Sequence, residues 1–128
     1  MKIDRIDHLV LTVNDVDETC HFYEKVLGMK VVIFAGGRKA LHFGSQKINL
    51  HQKGKEYEPK ALNPTPGSAD LCFITSVTIA DVIKHLKSCG IEIVEGPIKR
   101  IGATGLIISV YLRDPDLNLI EVSNYEDL

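Results

Sequence analysis

Four polar side chains on predicted strands are of the types that bind divalent metal ions. They are His8, His51, Asp70 and Glu121. Imidazole nitrogen and carboxylate oxygen together suit a divalent transition metal. If the strands that carry these residues face one cavity, the four side chains converge there. The sequence therefore predicts a metal site.

Each of these side chains also has a purely structural interpretation. His51 could end a strand in solvent beside Lys53, Asp70 could cap the connection before it, and Glu121 could pair with Arg113. Lone polar residues are common on the solvated face of a strand. The symmetric placement of the four favours the functional interpretation.

That symmetry comes from an internal duplication. When His8 is placed over Asp70, other residues of similar type coincide: Leu9 with Leu71, Lys25 with Lys87, Gly28 with Gly90, Val31 with Ile93 and Val32 with Val94. Placing INLHQ (48–52) over IEVSN (120–124) sets Asn49 over Glu121. His51 lies two residues beyond Asn49 and so points to the same side of its strand.

Each half is predicted to fold as βαβββ, which makes the chain an α+β protein. The first half has a strand at 6–13, a helix capped by Asn14 or Asp15 that ends near Leu27, and strands at 30–34, 39–44 and 47–52. The second half has a strand at 70–75, a helix from about Ile79 to Cys89 with Thr78 and Asp81 as a capping pair, and strands at 91–95, 106–113 and 119–123.

Residues 1–128 are predicted to form one domain of two modules, 1–52 and 68–128. The segment 53–67 has three prolines and two glycines, a composition typical of an exposed linker. Its length also suits a functional lid. In that alternative three of its side chains would meet a substrate: Lys53, Lys55 and Tyr57.

Composition places the chain among ordinary globular domains. It has 128 residues, of which 45% are hydrophobic and 25% charged, and its net charge is -2. Because Lys and Arg are scattered, neither nucleic acid nor a membrane is an expected partner. Cys20, Cys72 and Cys89 lack zinc-site spacing and are predicted to be reduced core residues. With no signal sequence recognised, we expect a cytoplasmic protein.

Several motifs agree in order with one known family. They are DHLVLTV at 7–13, FYEKVLGM at 22–29 and RDPDLNLIEV at 113–122, together with the duplicated βαβββ order. On these the chain resembles, over its whole length, the vicinal oxygen chelate superfamily of glyoxalase, bleomycin-resistance and extradiol dioxygenase proteins. KINLHQ, GKEYEPKA and NLIEVSNY narrow the resemblance to the type of glyoxalase-domain-containing protein 5 and similar bacterial virulence-associated proteins.

The resemblance implies a cup-shaped, partly open mixed β-sheet barrel that holds a metal ion. Ligands in that family come from the first and fourth strands of each module, here His8, Asn49, Asp70 and Glu121. Asn49 is a weak neutral ligand, and His51 is the alternative in its place. Glyoxalase I generally has a glutamate where Asn49 stands, so this chain lacks one of the two opposed carboxylates of that enzyme's scheme. A dioxygenase set of two histidines and one glutamate would need His8, His51 and Glu121.

The implied chemistry is metal-assisted. A metal with open coordination positions takes two adjacent substrate oxygens and stabilises the negative charge that develops on them, and Glu121 is the expected catalytic residue that exchanges protons. Mn, Fe, Ni and Zn all suit the ligand types. The side chains expected to contact a small-molecule substrate are Arg38, His42, Asn49, Ser109 and Tyr111.

Two functions follow from the resemblance. The first is a metal-dependent enzyme on a metabolite with vicinal oxygens, either a glyoxalase-like lyase or isomerase or a dioxygenase-like enzyme. The alternative is a metal-free protein that sequesters a small molecule, as bleomycin-resistance proteins do. Sequestering members tend to lack the ligand residues, so the metal-binding side chains kept here favour the enzyme. A homodimer is the expected assembly.

Overall fold

The computed structural model describes residues 1–126, which form ten helices and strands in all. In order they are β1 (His8–Val13), α1 (Val16–Leu27), β2 (Lys30–Phe34), β3 (Arg38–Phe43), β4 (Gln46–Gln52), β5 (Asp70–Ile74), α2 (Ile79–Ser88), β6 (Glu95–Ile101), β7 (Leu106–Arg113) and β8 (Leu119–Tyr125). The prediction of an α+β fold is confirmed. The chain divides into a first unit, Met1–Gly67, and a second unit that begins at Ser68.

Each unit contains a four-stranded mixed sheet, and the two sheets have the same topology. The strand orders are β1-β4-β3-β2 and β5-β8-β7-β6. In each sheet the first and last strands of the unit are parallel neighbours, and the other pairs are antiparallel. Asn49 lies beside Val10, and Glu121 lies beside Cys72. The equivalence of Asn49 and Glu121 that the duplication predicts is therefore confirmed.

One face of each sheet packs against the helix of its own unit. In the first unit α1 contacts β2, β3 and β4, and in the second α2 contacts β7. The buried side chains between helix and sheet include Leu11, Val13, Tyr23, Leu41, Ile48 and Leu50 in the first unit and Leu86, Val110, Leu112, Ile120 and Val122 in the second. We call the other face of each sheet its open face, and the predicted site residues of β1, β3, β4, β5, β7 and β8 point to it.

The helices begin where the capping residues predict. The Asp15 carboxylate accepts the N–H of Glu18 at 3.0 Å, and Gly28 ends α1 in the left-handed conformation with a φ of 67°. In the second unit the Thr78 hydroxyl accepts the N–H of Asp81 at 3.3 Å. Asp15 rather than Asn14 is therefore the cap of α1.

The strand predicted at 91–95 is misplaced, because β6 spans Glu95–Ile101. The apolar residues 91–94 follow the end of α2, where the N–H of Ile91 still bonds to the carbonyl of Leu86. The register with β7 then shifts between Glu95 and Ile98. Gly96 and Pro97 lie in that irregularity, which hid the strand from an alternation search.

The prediction that all three cysteines belong to the core is also wrong. All three thiols are free, but only Cys20 is buried, whereas Cys72 is exposed and Cys89 is intermediate. Cys72 is on the open face of β5 because its neighbours Leu71 and Phe73 face the helix. Within residues 1–126, no helix combines the length and the apolar character needed to cross a membrane.

Candidate functional site

His8 begins β1 on the open face of the first sheet. The side chain of Gln46 donates to the carbonyl of Ile6 at 2.7 Å and so holds the segment that leads into the strand. His8 Nδ1 lies 2.8 Å from Oδ2 of Asp7, and this hydrogen bond lowers the pKa of Asp7. With the Nδ1 proton donated to the carboxylate, Nε2 is the nitrogen left for a metal ion.

Asn49 and His42 lie on the same open face as His8. Within residues 1–126, the buried Oδ1 of Asn49 has no hydrogen-bond partner. A buried acceptor without a donor is costly, so a bound group that supplies one would be favoured there. His42 is half-buried and lies between Lys30 and Lys47 in the sheet register. Flanking cations make His42 better suited to an anionic group than to a metal ion.

His51 lies at the other end of this sheet from His8. It pairs with Thr12, whereas His8 pairs with Lys47, which is four residues earlier in β4. At about 3.3 Å per residue, this offset corresponds to about 13 Å along the strands. The structure therefore does not bring His51 beside His8.

His51 instead packs in a cluster with Arg38 and Tyr57. Its ring meets the Tyr57 ring edge to face at 5.5 Å between centroids, and the Arg38 guanidinium lies 3.8 Å from the centroid of the Tyr57 ring. His51 is 9% exposed. Burial, and next the Arg38 charge, lower the pKa of His51 against the opposite effect of the Glu56 carboxylate.

Glu121 is held on the open face of the second sheet by hydroxyl groups. Ser109 of β7 donates to Oε2 of Glu121 at 2.5 Å, and Ser123 lies 3.4 Å from the same oxygen. The two serine hydroxyls are 2.6 Å apart, and Cys72 Sγ lies 3.4 Å from the Ser123 hydroxyl. Both serines are fully buried. This network fixes one carboxylate oxygen of Glu121.

Asp70 shares an open cavity of ≈ 350 Å³ with Glu121, Tyr111 and Arg100. The side-chain oxygen of Asn118 accepts the N–H of Ala69 at 2.9 Å and so fixes the start of β5. Tyr111 accepts a 3.1 Å hydrogen bond from Nε of Arg100. The sequence interpretation missed Arg100 because it placed the strand at 91–95. With β6 known, alternation from Ile98 would have put Arg100 on the open face.

The structure thus groups the predicted residues within each unit. Asp70, Glu121, Ser109 and Tyr111 are neighbours in the second unit, and Arg38 and His51 are neighbours in the first. Across residues 1–126, no group of three or more His, Cys, Asp or Glu side chains is arranged to hold a metal ion. The shared metal site stays a prediction. The histidines of the helices, His21 and His85, are exposed.

Comparison with known proteins identifies relatives that match nearly the whole chain. Residues 5–122 match the family described as the glyoxalase/bleomycin resistance protein/dioxygenase superfamily. The virulence protein STM3117 of Salmonella typhimurium is 65% identical over 98% of this chain and 87% of its own length. The glyoxalase domain-containing protein RDO1 of Mycosarcoma maydis is 62% identical over 99% of this chain and 72% of its own length.

A solved structure supports the fold directly. The crystal structure of STM3117 superposes on this chain with a TM-score of 0.97 at 64% identity and covers 98% of this chain and 100% of its own. Two sheets of the topology described above are therefore shared with that protein. Neither name states a reaction for these relatives.

Proposed function

Because the chain belongs to the glyoxalase/bleomycin resistance protein/dioxygenase superfamily, we propose that it is a divalent-metal-dependent enzyme acting on a small metabolite with two adjacent oxygens. The proposed ligands are His8, Asp70 and Glu121. The observation that carries the proposal is the Glu121 carboxylate, which serine hydroxyls hold on the open face next to Asp70. RDO1, 62% identical, carries the name of a glyoxalase domain, which supports the same class.

Features of the individual residues support metal binding. His8 has its Nδ1 occupied by Asp7 and its Nε2 available, an arrangement that orients metal-binding histidines in many proteins. The serine hydroxyls contact Glu121 at Oε2, and the Cys72 thiol also interacts with this carboxylate. Asp70 is exposed and in no ion pair within 1–126. Mn, Fe, Ni and Zn are the ions that such nitrogen and carboxylate donors accept.

The chain's own residues then have distinct tasks. A bound divalent ion would stabilise negative charge on the two substrate oxygens. Glu121 accepts or returns a substrate proton at Oε1, while Ser109 keeps the carboxylate from rotating. Tyr111, already bonded to Arg100, directs its hydroxyl toward the same cavity. Asn49 offers its unpaired Oδ1 to a substrate hydroxyl.

The position of His51 favours a lyase or isomerase over a dioxygenase. A dioxygenase set of two histidines and one carboxylate would need His8 and His51 on one ion. The register separates them by about 13 Å along the sheet, and His51 packs against Tyr57. We therefore propose proton-transfer chemistry on a hemithioacetal-like or hydroxy-carbonyl substrate.

The test is elemental analysis of protein purified without chelator or affinity-tag metal. We expect about one Mn, Fe, Ni or Zn per chain, lost in His8→Ala and in Glu121→Gln. The matched controls are His21→Ala and Glu92→Gln, which remove the same group types from exposed positions and should keep the metal. No metal in the wild-type protein, and no uptake of added ions, would reject the proposal and favour the metal-free binding protein.

A further inference from the structure

Three side chains that can donate hydrogen bonds meet on the open face of the first sheet. They are Arg38 at the start of β3, His51 in β4 and Tyr57 in the segment after β4. Ala40 and Asn49 are antiparallel partners in the sheet. Arg38 lies two residues before Ala40, and His51 lies two residues after Asn49. The backbone therefore places Arg38 and His51 side by side.

Within residues 1–126, none of the three side chains has a hydrogen bond or an ion pair through its polar atoms. Of the three, only His51 is buried, whereas Arg38 is half-buried and Tyr57 is 39% exposed. The polar atoms of a buried side chain are normally paired. The Glu56 carboxylate interacts electrostatically with the His51 ring, but one of its oxygens already accepts the N–H of Gly54 and the other lies 3.9 Å from Lys60. Arg38 itself has no anionic partner among the described residues.

A cavity reaches two members of this cluster, Arg38 and Tyr57, and His51 is not part of its lining. A space of ≈ 280 Å³ is lined by Arg38 and Tyr57 together with Lys55, Lys39 and Asp17. Lys39 is paired with Asp17 at 2.6 Å, so the uncompensated charges of the lining are positive. Stacking on Tyr57 leaves the edge of the guanidinium free, and that edge can donate two parallel hydrogen bonds to one oxyanion.

We propose that Arg38 and Tyr57 bind an oxyanion, the carboxylate or phosphate group of the metabolite on which the protein acts. Arg38 supplies the charge and a two-pronged donor, Tyr57 supplies one further donor, and His51 packs against the Tyr57 ring and reports on the site. The substrate is then an anionic metabolite anchored at this end of the sheet. The link to the substrate rests on the proposed function, whereas the anion site itself stands without it.

The test is an NMR titration of the metal-free full chain with sodium phosphate and, separately, with sodium acetate. Ionic strength is held constant with sodium chloride, and the His51 ring and Arg38 Nε signals are followed. We expect saturable shifts of both signals with at least one anion. The anion that binds more tightly, phosphate or acetate, identifies the group that the site accepts. Arg38→Gln should weaken binding about tenfold or more, since it removes a charged donor.

Variants separate a built site from general attraction. Arg38→Lys keeps the charge but loses the two-pronged geometry, so it should also weaken binding, while Tyr57→Phe should weaken it less. Lys25→Gln removes an exposed cation from helix α1 of the same unit and should change the affinity less than about twofold. Absence of saturable shifts with both anions, or equal weakening in Lys25→Gln, would overturn the anion site.

Metal content distinguishes this inference from the proposed function. Arg38→Gln should retain as much metal as the wild-type protein, because Arg38 is not among the proposed ligands. A wild-type protein that binds the anion but no metal would reject the proposed function alone. One that holds metal but binds neither anion would reject the anion site alone.

Discussion

The hydroxyl of Ser109 donates a 2.5 Å hydrogen bond to Oε2 of Glu121 across two neighbouring strands of the second sheet. Ser109 is fully buried, and its hydroxyl also lies 2.6 Å from that of Ser123. A charged acceptor strengthens such a bond relative to a neutral one. The orientation of the carboxylate is therefore built into the sheet rather than left to side-chain rotation.

Ser109→Ala should destabilise the protein because it leaves Glu121 and Ser123 without their shared partner. We expect a decrease of about 2 kcal/mol in the free energy of unfolding, measured by urea denaturation. Ser45→Ala, at an exposed turn, is the control and should change this free energy by less than about 0.5 kcal/mol. Equal effects of the two substitutions would show that the hydroxyl network contributes nothing.

Asn124 should stabilise α2 in the way that Gln52 stabilises α1. Asn124 accepts the N–H of Ile79 at 2.9 Å and donates to two carbonyls, and Gln52 accepts the N–H of Val16 at 3.2 Å. Asn124→Ala should lower the free energy of unfolding by about 2 kcal/mol and speed hydrogen exchange in the first turn of α2. Asn124→Asp keeps the acceptor but loses both donors, so its effect should be smaller.

The equivalence of Gln52 and Asn124 shows what the duplication in the sequence could predict. Alignment of INLHQ with IEVSN already sets these two residues over each other. The alternation of polar and apolar residues was enough to find seven of the eight strands, and capping residues located both helices. These signals are local, because they depend on residues within one turn or one strand.

The features that the sequence did not predict depend on contacts between distant residues. His51 and His8 have the same strand parity, so only the register of β1 with β4 shows how far apart they lie. The meeting of Arg38 with Tyr57 likewise depends on how the segment after β4 folds back. β6 was missed because its irregularity at Gly96 breaks the alternation.

Gly96 should be irreplaceable in that irregularity. Its φ is +112°, and an added Cβ would run into the backbone of Ser109 and lie 3.0 Å from Cα of Val110. Gly96→Ala should lower the free energy of unfolding by about 3 kcal/mol or more, from steric conflict and backbone strain together. Gly37→Ala is the matched control, because Gly37 has a φ of +94° but open space around it. A similar decrease in the free energy of unfolding in both variants would show that backbone strain at positive φ, without steric conflict, is the cause.

His51 should titrate below its ordinary pKa of 6.5 in the folded protein. Burial is the main cause, followed by the Arg38 guanidinium, so Arg38→Gln should raise the pKa of His51 without restoring it fully. Glu56→Gln should lower it further, because the Glu56 carboxylate raises it. Proton-carbon NMR of the imidazole against pH measures these shifts directly.

The same pKa shift predicts how His51 affects stability. A group whose pKa is lower in the folded than in the unfolded chain binds fewer protons when folded, so its contribution to stability falls as the pH drops below 6.5 and levels off below the folded pKa. We would measure the free energy of unfolding in urea for the wild type and for His51→Gln, at pH 7.5 and at lower pH. The free energy lost on acidification should be smaller in the variant. If both lose the same free energy on acidification, the imidazole is not held in its neutral form by its surroundings.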